Sequence, residues 1–283
     1  MPAEHLIIEA GRTEKHYWRD IWRFRELFAF LAWRDILVRY KQTVIGVLWA
    51  LLRPLIAMVV FTVIFGLVAG FAKEEDGPYM IVVFAAVLPW NFFAAALADC
   101  SNSLVMNANL ISKIYFPRII VPCSSVVVSL VDFVISFSIL LGLMAFYQFA
   151  PSIRFLMLPV FLLLASAAAM GLGIWLAALN VRFRDFRIIV PFIVQFGFFV
   201  SPVGFKTQKI VDFLEGKPFA DLFLFLYTLN PMVGVIDGFR WAILNDDQIY
   251  WPGMLVSIIL TAILLLTGIA YFRKTEKTFA DVI

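Results

Sequence analysis

The sequence predicts an all-α polytopic membrane protein, and three observations carry that reading. Of 283 residues, 63% are hydrophobic and only 15% charged, and mean hydropathy is +0.92. Both values lie well outside the range of a soluble globular enzyme, which they exclude. Aromatic side chains are abundant, with 30 Phe, 8 Trp and 8 Tyr, as expected where apolar surface is buried against lipid. Third, apolar runs of helical length recur along the chain. A hydrocarbon core of about 30 Å is crossed by roughly 20 residues of helix, because a backbone in lipid must satisfy its own hydrogen bonds.

Six segments meet that length: 44 to 71, 79 to 98, 119 to 146, 155 to 179, 188 to 205 and 253 to 272. An even count places both termini on one side. On that side lie 16 basic residues (8 in residues 1–43, 2 in 99–118, 3 in 180–187 and 3 in 273–283), against 6 in the opposite loops. Positive charge is retained in the cytoplasm, so both termini are predicted to be cytoplasmic. The domain plan is a cytoplasmic N-terminal segment 1–43, a six-span domain 44–272 and a cytoplasmic tail 273–283. No cleavable signal peptide is predicted, since the first long apolar run begins near Val44 behind a charged, aromatic stretch.

Residues 17–41, YWRDIWRFRELFAFLAWRDILVRYK, contain no Gly or Pro. Arg23, Arg34 and Lys41 are 11 and 7 residues apart, close to whole turns, and form one stripe. Trp18, Trp22, Trp33, Ile36 and Tyr40 fall on another face, as in a helix lying in the headgroup layer. Arg25 and Arg39 flank that aromatic face, so the separation is incomplete.

The stretch 206–250 is too long for a turn. It holds two apolar runs of about 12 residues, PFADLFLFLYTL and MVGVIDGFRWAIL, separated by Asn230-Pro231. Each is too short to span, which predicts a helical hairpin re-entering from the outer side. In the fourth span, Ala165, Ala169, Gly173 and Ala177 recur every fourth residue and let another helix approach closely.

Chemistry-bearing residues are scarce. Only Arg53 and Asp132 lie clearly inside spans, placed to pair with each other or to line a polar path. A single aspartate is a poor basis for ion-coupled transport. Glu74, Glu75 and Asp76 of the KEEDGP loop could in principle serve the metal and pyrophosphate of a membrane glycosyltransferase, but an ordinary solvated acidic turn explains them far better. Asn245-Asp246-Asp247 is similarly weak. His5 and His16 both precede the first span. Cys100 and Cys123, 23 residues apart, suggest reduced thiols rather than a zinc site or disulfide framework. A net charge of +3 gives no support for nucleic-acid binding. No metal site or cofactor is predicted.

The sequence contains no GxxxxGK[ST] phosphate loop, so any ATP-derived work must come from a partner. The cytoplasmic segment 101–118 is suited to meet one. Its Ile111, with Ile114, Tyr115 and Phe116 lying between Lys113 and Arg118, suggests a helical knob for a partner's groove, ended by Pro117.

Several motifs then carry a family resemblance: RDILVRYKQTVIGVLWALLRPL (34–55), LPWNFF (88–93), NANLISKIYFPRIIVP (107–122), NVRFRD (180–185) and Asn230-Pro231. In this order, over most of the chain, they resemble the permease subunits of polysaccharide ABC exporters, and the O-antigen exporter permeases most closely. Capsule and teichoic-acid exporter permeases share the plan. The resemblance implies a bacterial inner-membrane homodimer of six-span subunits above two ATPase subunits that bind the ATP and Mg. Its cargo would be a polyprenyl-pyrophosphate-linked polysaccharide. It also implies that Asn107, Asn109, Ile111, Lys113, Tyr115, Phe116, Pro117 and Arg118 couple to the ATPase. Helix 17–41 would be the gate admitting the lipid pyrophosphate, with Arg34, Arg39 and Lys41 placed to meet it. Residues 206–250 would be the outer gate, with Asn230, Pro231 and Arg240. Arg53 matches no pattern carried over from the family.

Overall fold

The computed structural model describes residues 17–41, 46–74, 78–183, 185–244 and 249–279. Among them there are helices and no strands. Glu75, Asp76 and the Asn245-Asp246-Asp247 triplet lie outside the described residues.

Two short helices, α1 (Tyr17–Arg23) and α2 (Arg25–Lys41), form the N-terminal rod. Helical hydrogen bonding runs through their junction, with Phe24 N–H donating to Asp20 O and Phe28 N–H to Phe24 O, each at 3.0 Å. Trp18, Trp22 and Trp33 are exposed, as the aromatic-face reading requires. Tyr40 departs from it and turns toward the bundle.

The first span is α3 (Gly46–Phe61), continued by a wider π-helical stretch at Thr62–Val68. Gly66 there lies against the Tyr79 ring, where a Cβ would stand 2.7 Å from the ring. α4 (Tyr79–Met106) follows. With 28 residues it is about 42 Å long, and it is buried along most of its length. α3, α6 (Ile120–Phe146), α7 (Leu158–Arg182), α8 (Phe186–Val200) and α11 (Pro231–Leu244) all pack on it. The bundle therefore encloses a helix, not a channel.

α7 is also covered by α12 (Trp251–Thr275). Ala165, Ala169, Gly173 and Ala177 are all buried, so the small-residue ridge serves packing within the chain. At Gly173 a Cβ would sit 2.7 Å from Cys100 Sγ, and at Gly268 2.4 Å from the backbone oxygen of Gly171.

The fifth predicted span is shorter than expected. α8 ends at Val200 after 15 residues, about 22 Å of rise, and Ser201–Lys206 is irregular. Pro202 explains the stop: it bars the preceding residue from helical geometry, and Ser201 is extended, at φ −80° and ψ 152°. Among the described residues, five helices are long and apolar enough to cross a membrane, and the count reaches six only if a bent pair is one span. That pair is α10 (Ala220–Thr228) and α11, meeting at 84°. Preceded by a short α9 (Thr207–Leu214), it occupies the predicted outer hairpin.

Candidate functional site

Polar side chains gather where α2 lies against α4 and α6. Arg39 Nη1 donates to Asp132 Oδ2 at 2.7 Å, and its Nη2 donates to Asp99 Oδ1 and Oδ2 at 3.1 and 2.9 Å. Ser129 Oγ donates to Asp99 Oδ2 at 3.1 Å, and the Tyr40 hydroxyl donates to Asp132 Oδ1. One guanidinium thus joins three elements: α2, α4 through Asp99 and α6 through Asp132. Burial works against the Arg39 charge, but the two carboxylates outweigh it and hold its pKa above the ordinary value. Burial raises the Tyr40 pKa, as does the Asp132 carboxylate accepting from it, so the phenol remains a proton donor at neutral pH.

One turn earlier on α2, Arg34 Nη2 donates to Asn107 Oδ1 at 2.7 Å and also holds Asp35 Oδ1 at 2.7 Å. Asn107 stands at the joint between α4 and α5 (Ala108–Lys113), and its side-chain amide donates back to Ser103 O at 2.9 Å. Between the two arginine contacts opens a cleft of about 410 Å³, lined in part by Asp35, Ser103 and Ser125. On the outward side of α2, Arg34 and Lys41 instead flank an apolar groove of about 310 Å³ containing Phe30, Trp33, Leu37 and Val38.

The predicted coupling segment differs in shape from the expected knob. α5 stops at Lys113, and Ile114 is already extended at φ −127° and ψ 135°, so the helix ends three residues before Pro117 instead of at it. The chain then divides its apolar residues. Ile114 and Tyr115 are about half exposed, while Ile111 and Phe116 are buried; Asn109 and Lys113 point outward. Arg118 donates to the backbone carbonyl of Glu276. The Glu276 carboxylate accepts from the Tyr17 hydroxyl at 3.2 Å, and Arg273 stacks over the Tyr17 ring at 4.5 Å. The end of the coupling segment, the first helix and the end of α12 therefore meet at one junction.

At the other end of the bundle, Arg240 is 3% exposed. It donates to the carbonyls of Phe205, Val203 and Val82 at 2.6, 2.8 and 3.3 Å. Tyr79 donates to Gly204 O at 2.7 Å, Asn230 Nδ2 to Ser201 Oγ at 2.8 Å, and Thr207 to Asp237 at 2.9 Å. Side chains from α4 and α11 thus take up carbonyls that the unwound stretch after α8 leaves free, as buried irregular backbone requires. Pro231 is the first residue of α11, where a missing N–H costs nothing.

Residues 26–244 match the ABC-2 type transporter family. The chain belongs to that family. It is 27% identical over 266 residues to the O-antigen export system permease protein RfbA of Myxococcus xanthus, covering 94% of this chain and 98% of that relative. To a protein of the same name from Klebsiella pneumoniae it is 26% identical over 259 residues, covering 91% and 95%.

In this ABC-2 transporter chain, the expected pairing of Arg53 with Asp132 is absent, because Asp132 is engaged by Arg39 and Tyr40. Arg53 is exposed and has no polar partner among the described residues. It shares the open face of α3 with Trp49, Ile56, Val60 and Val63, all exposed. Arg34, Arg39 and Lys41 do not form one basic patch: Arg39 faces the bundle and is outnumbered by carboxylates. Asp99 and Asp35 escaped the sequence reading, and Tyr40 entered it only as part of the aromatic face. Asp99 lay at an assumed span edge, where a carboxylate needs no explanation, although its spacing from Asn102 and Ser103 marks a polar end to α4.

Proposed function

We propose that this chain is the membrane-spanning subunit of an ATP-driven exporter of polyprenyl-pyrophosphate-linked polysaccharide, acting as two copies with two separate ATPase subunits on the α5 side. Arg53 is the observation that carries the passage-forming part. A cation on a span's outward face is costly in hydrocarbon. It is accommodated if that face, with Trp49, Ile56 and Val60, borders water in a passage completed by a second copy. Packing around α4 supports the same arrangement, because a sugar polymer needs a continuous hydrated lining, which a solid bundle supplies only at its edge. The second copy would close that edge. Aromatic rings there offer sugars flat apolar faces without fixing them in place.

The coupling part rests on Ile114 and Tyr115, exposed at the α5 tip beside buried Phe116. Rings and aliphatics at such a tip seat in a partner's groove. The relatives' name, O-antigen export system permease protein, supports the class of cargo. Arg34 and Lys41, on the outward groove of α2, are the cations set to meet a lipid diphosphate, with Trp33 and Leu37 beside its hydrocarbon. Both termini are then cytoplasmic, α8 with the unwound Ser201–Lys206 completes the fifth of six spans, and α9 to α11 form the outer gate in the bacterial inner membrane. Asp132 is committed to Arg39 and Tyr40, which disfavours an ion-coupled mechanism.

The test is reconstitution. The chain expressed with a candidate ABC ATPase subunit from the same organism is expected to give a complex of two copies of each. In proteoliposomes that complex should move lipid-linked glycan only when ATP is hydrolysed, while the purified chain alone hydrolyses none. Glycan movement by the chain alone, driven by a proton or sodium gradient, would refute the proposal.

A further inference from the structure

We propose that α2 is a lever, pinned to the bundle by Arg39 and driven by the coupling segment through Arg34. This rests on the functional reading above and goes beyond it by assigning the route along which an ATPase stroke travels. The two arginines are five residues apart, about 7.5 Å along the helix, and their partners differ in kind. Arg39 makes charge-assisted bonds to two carboxylates on two different spans, so it ties α2 to α4 and α6 together. Arg34 reaches Asn107, which belongs to neither span interior. Asn107 is the joint at which α4 gives way to α5: its backbone leaves helical geometry, at φ −107° and ψ 24°, and its side chain grips Ser103 O on the last turn of α4.

Movement of the exposed α5 tip is carried back to Asn107, because α5 is only six residues long and begins at that joint. Displacement of Asn107 is passed to Arg34 by a 2.7 Å bond. With Arg39 fixed, it becomes a tilt of α2 instead of a translation. The cleft of about 410 Å³ lies between pin and drive, bordered by both arginines, and gives the helix space in which to tilt. The same geometry explains the excess of carboxylates. Arg39 faces Asp99 and Asp132, so its charge is satisfied within the protein and an arriving anion is repelled, which leaves Arg39 to position α2 instead of binding cargo. Arg39 is thus a positioning residue.

The experiment compares glycan exported per ATP hydrolysed in the reconstituted complex. Arg39→Glu is expected to lower that ratio by about fivefold or more, the low end of ordinary coupling factors. The double exchange Arg39→Glu with Asp132→Arg keeps the cluster's total charge and should restore most of it. Asn107→Ala, which removes the acceptor of Arg34 and leaves the cations of the outward groove in place, should lower the ratio with the pin intact. If Arg39→Glu does not assemble, Arg39→Lys takes its place, since a single ammonium cannot span both carboxylates in a planar fork. A single-exchange complex coupled like wild type, or a double exchange no better than the single one, would overturn the lever. Failure of the wild-type complex to export any glycan would instead strike the functional reading.

Discussion

Arg240 donates to Val203 O at 2.8 Å across 37 residues of sequence, fixing the unwound stretch after α8 to α11. With Phe205 and Val82 also accepting from it, removing the guanidinium breaks three hydrogen bonds at once and takes the side-chain donor from the Val203 and Phe205 carbonyls of the unwound stretch. A buried polar group left without its partner costs about 1–3 kcal/mol. Arg240→Met is therefore expected to lower the thermal midpoint of the purified protein in detergent by several degrees. Arg240→Lys should recover only part, because an ammonium lacks the planar fork that serves separated acceptors. An unchanged midpoint for Arg240→Met would show that those carbonyls find water instead.

Close approach of α7 and α12 predicts opposite outcomes for two glycines. At Gly268 an added Cβ would lie 2.4 Å from Gly171 O, a backbone atom that cannot swing away, whereas at Gly142 nothing stands within 4 Å. Gly268→Ala should force the helices apart and cost about 1–3 kcal/mol. Gly142→Ala, just over one turn before the end of α6, should be neutral or gain up to about 1 kcal/mol from helix propensity. Paired thermal melts of the two variants check this, and equal melts would contradict the packing.

Legibility in the sequence followed the length scale of each feature. Span-length apolar runs, the Ala165 to Ala177 ridge and the helical rod at 17–41 depend on local periodicity, and they reappear in the fold except where α8 stops short. What failed depends on contacts far apart in sequence. Tyr40 shares a helical face with Trp33 by periodicity, yet Asp132, 92 residues away, draws it inward. Asp132 appeared stranded because its partner Arg39 sits on a helix read as facing lipid headgroups. The short α8 was readable, since Pro202 lies inside the predicted fifth span. Arg240 was legible as a residue of interest but not as a carbonyl clamp, because the groups it serves exist only once Ser201–Lys206 unwinds.

At the coupling segment, neighbouring aromatic residues are predicted to behave differently. Phe116 is 4% exposed and Tyr115 48%. Truncating Phe116 to Ala empties a core position and should destabilise the chain by about 3–5 kcal/mol. The double variant Ile114→Ala with Tyr115→Ala should leave the thermal midpoint within a degree or two of wild type while weakening ATPase capture in a pull-down by tenfold or more. Retained capture with this double variant would move the docking surface elsewhere.

Alkaline pH should loosen the junction where α1 meets the end of α12. Burial raises the pKa of the Tyr17 hydroxyl above its ordinary value, and the neighbouring Glu276 carboxylate, which accepts its proton at 3.2 Å, raises it further. Folding therefore favours the neutral phenol, so near and above the unfolded value of about 10 the folded state binds more protons than the unfolded one. The resulting stabilisation is fully present below about pH 10 and declines as pH climbs from there toward the folded value. Tyr17→Phe forgoes the hydrogen bond but cannot ionise. It should melt slightly below wild type at pH 8, and the gap should narrow or reverse by pH 11. Parallel melting curves across that range would mean that Tyr17 ionises freely and that the Glu276 contact does not hold α1 in place.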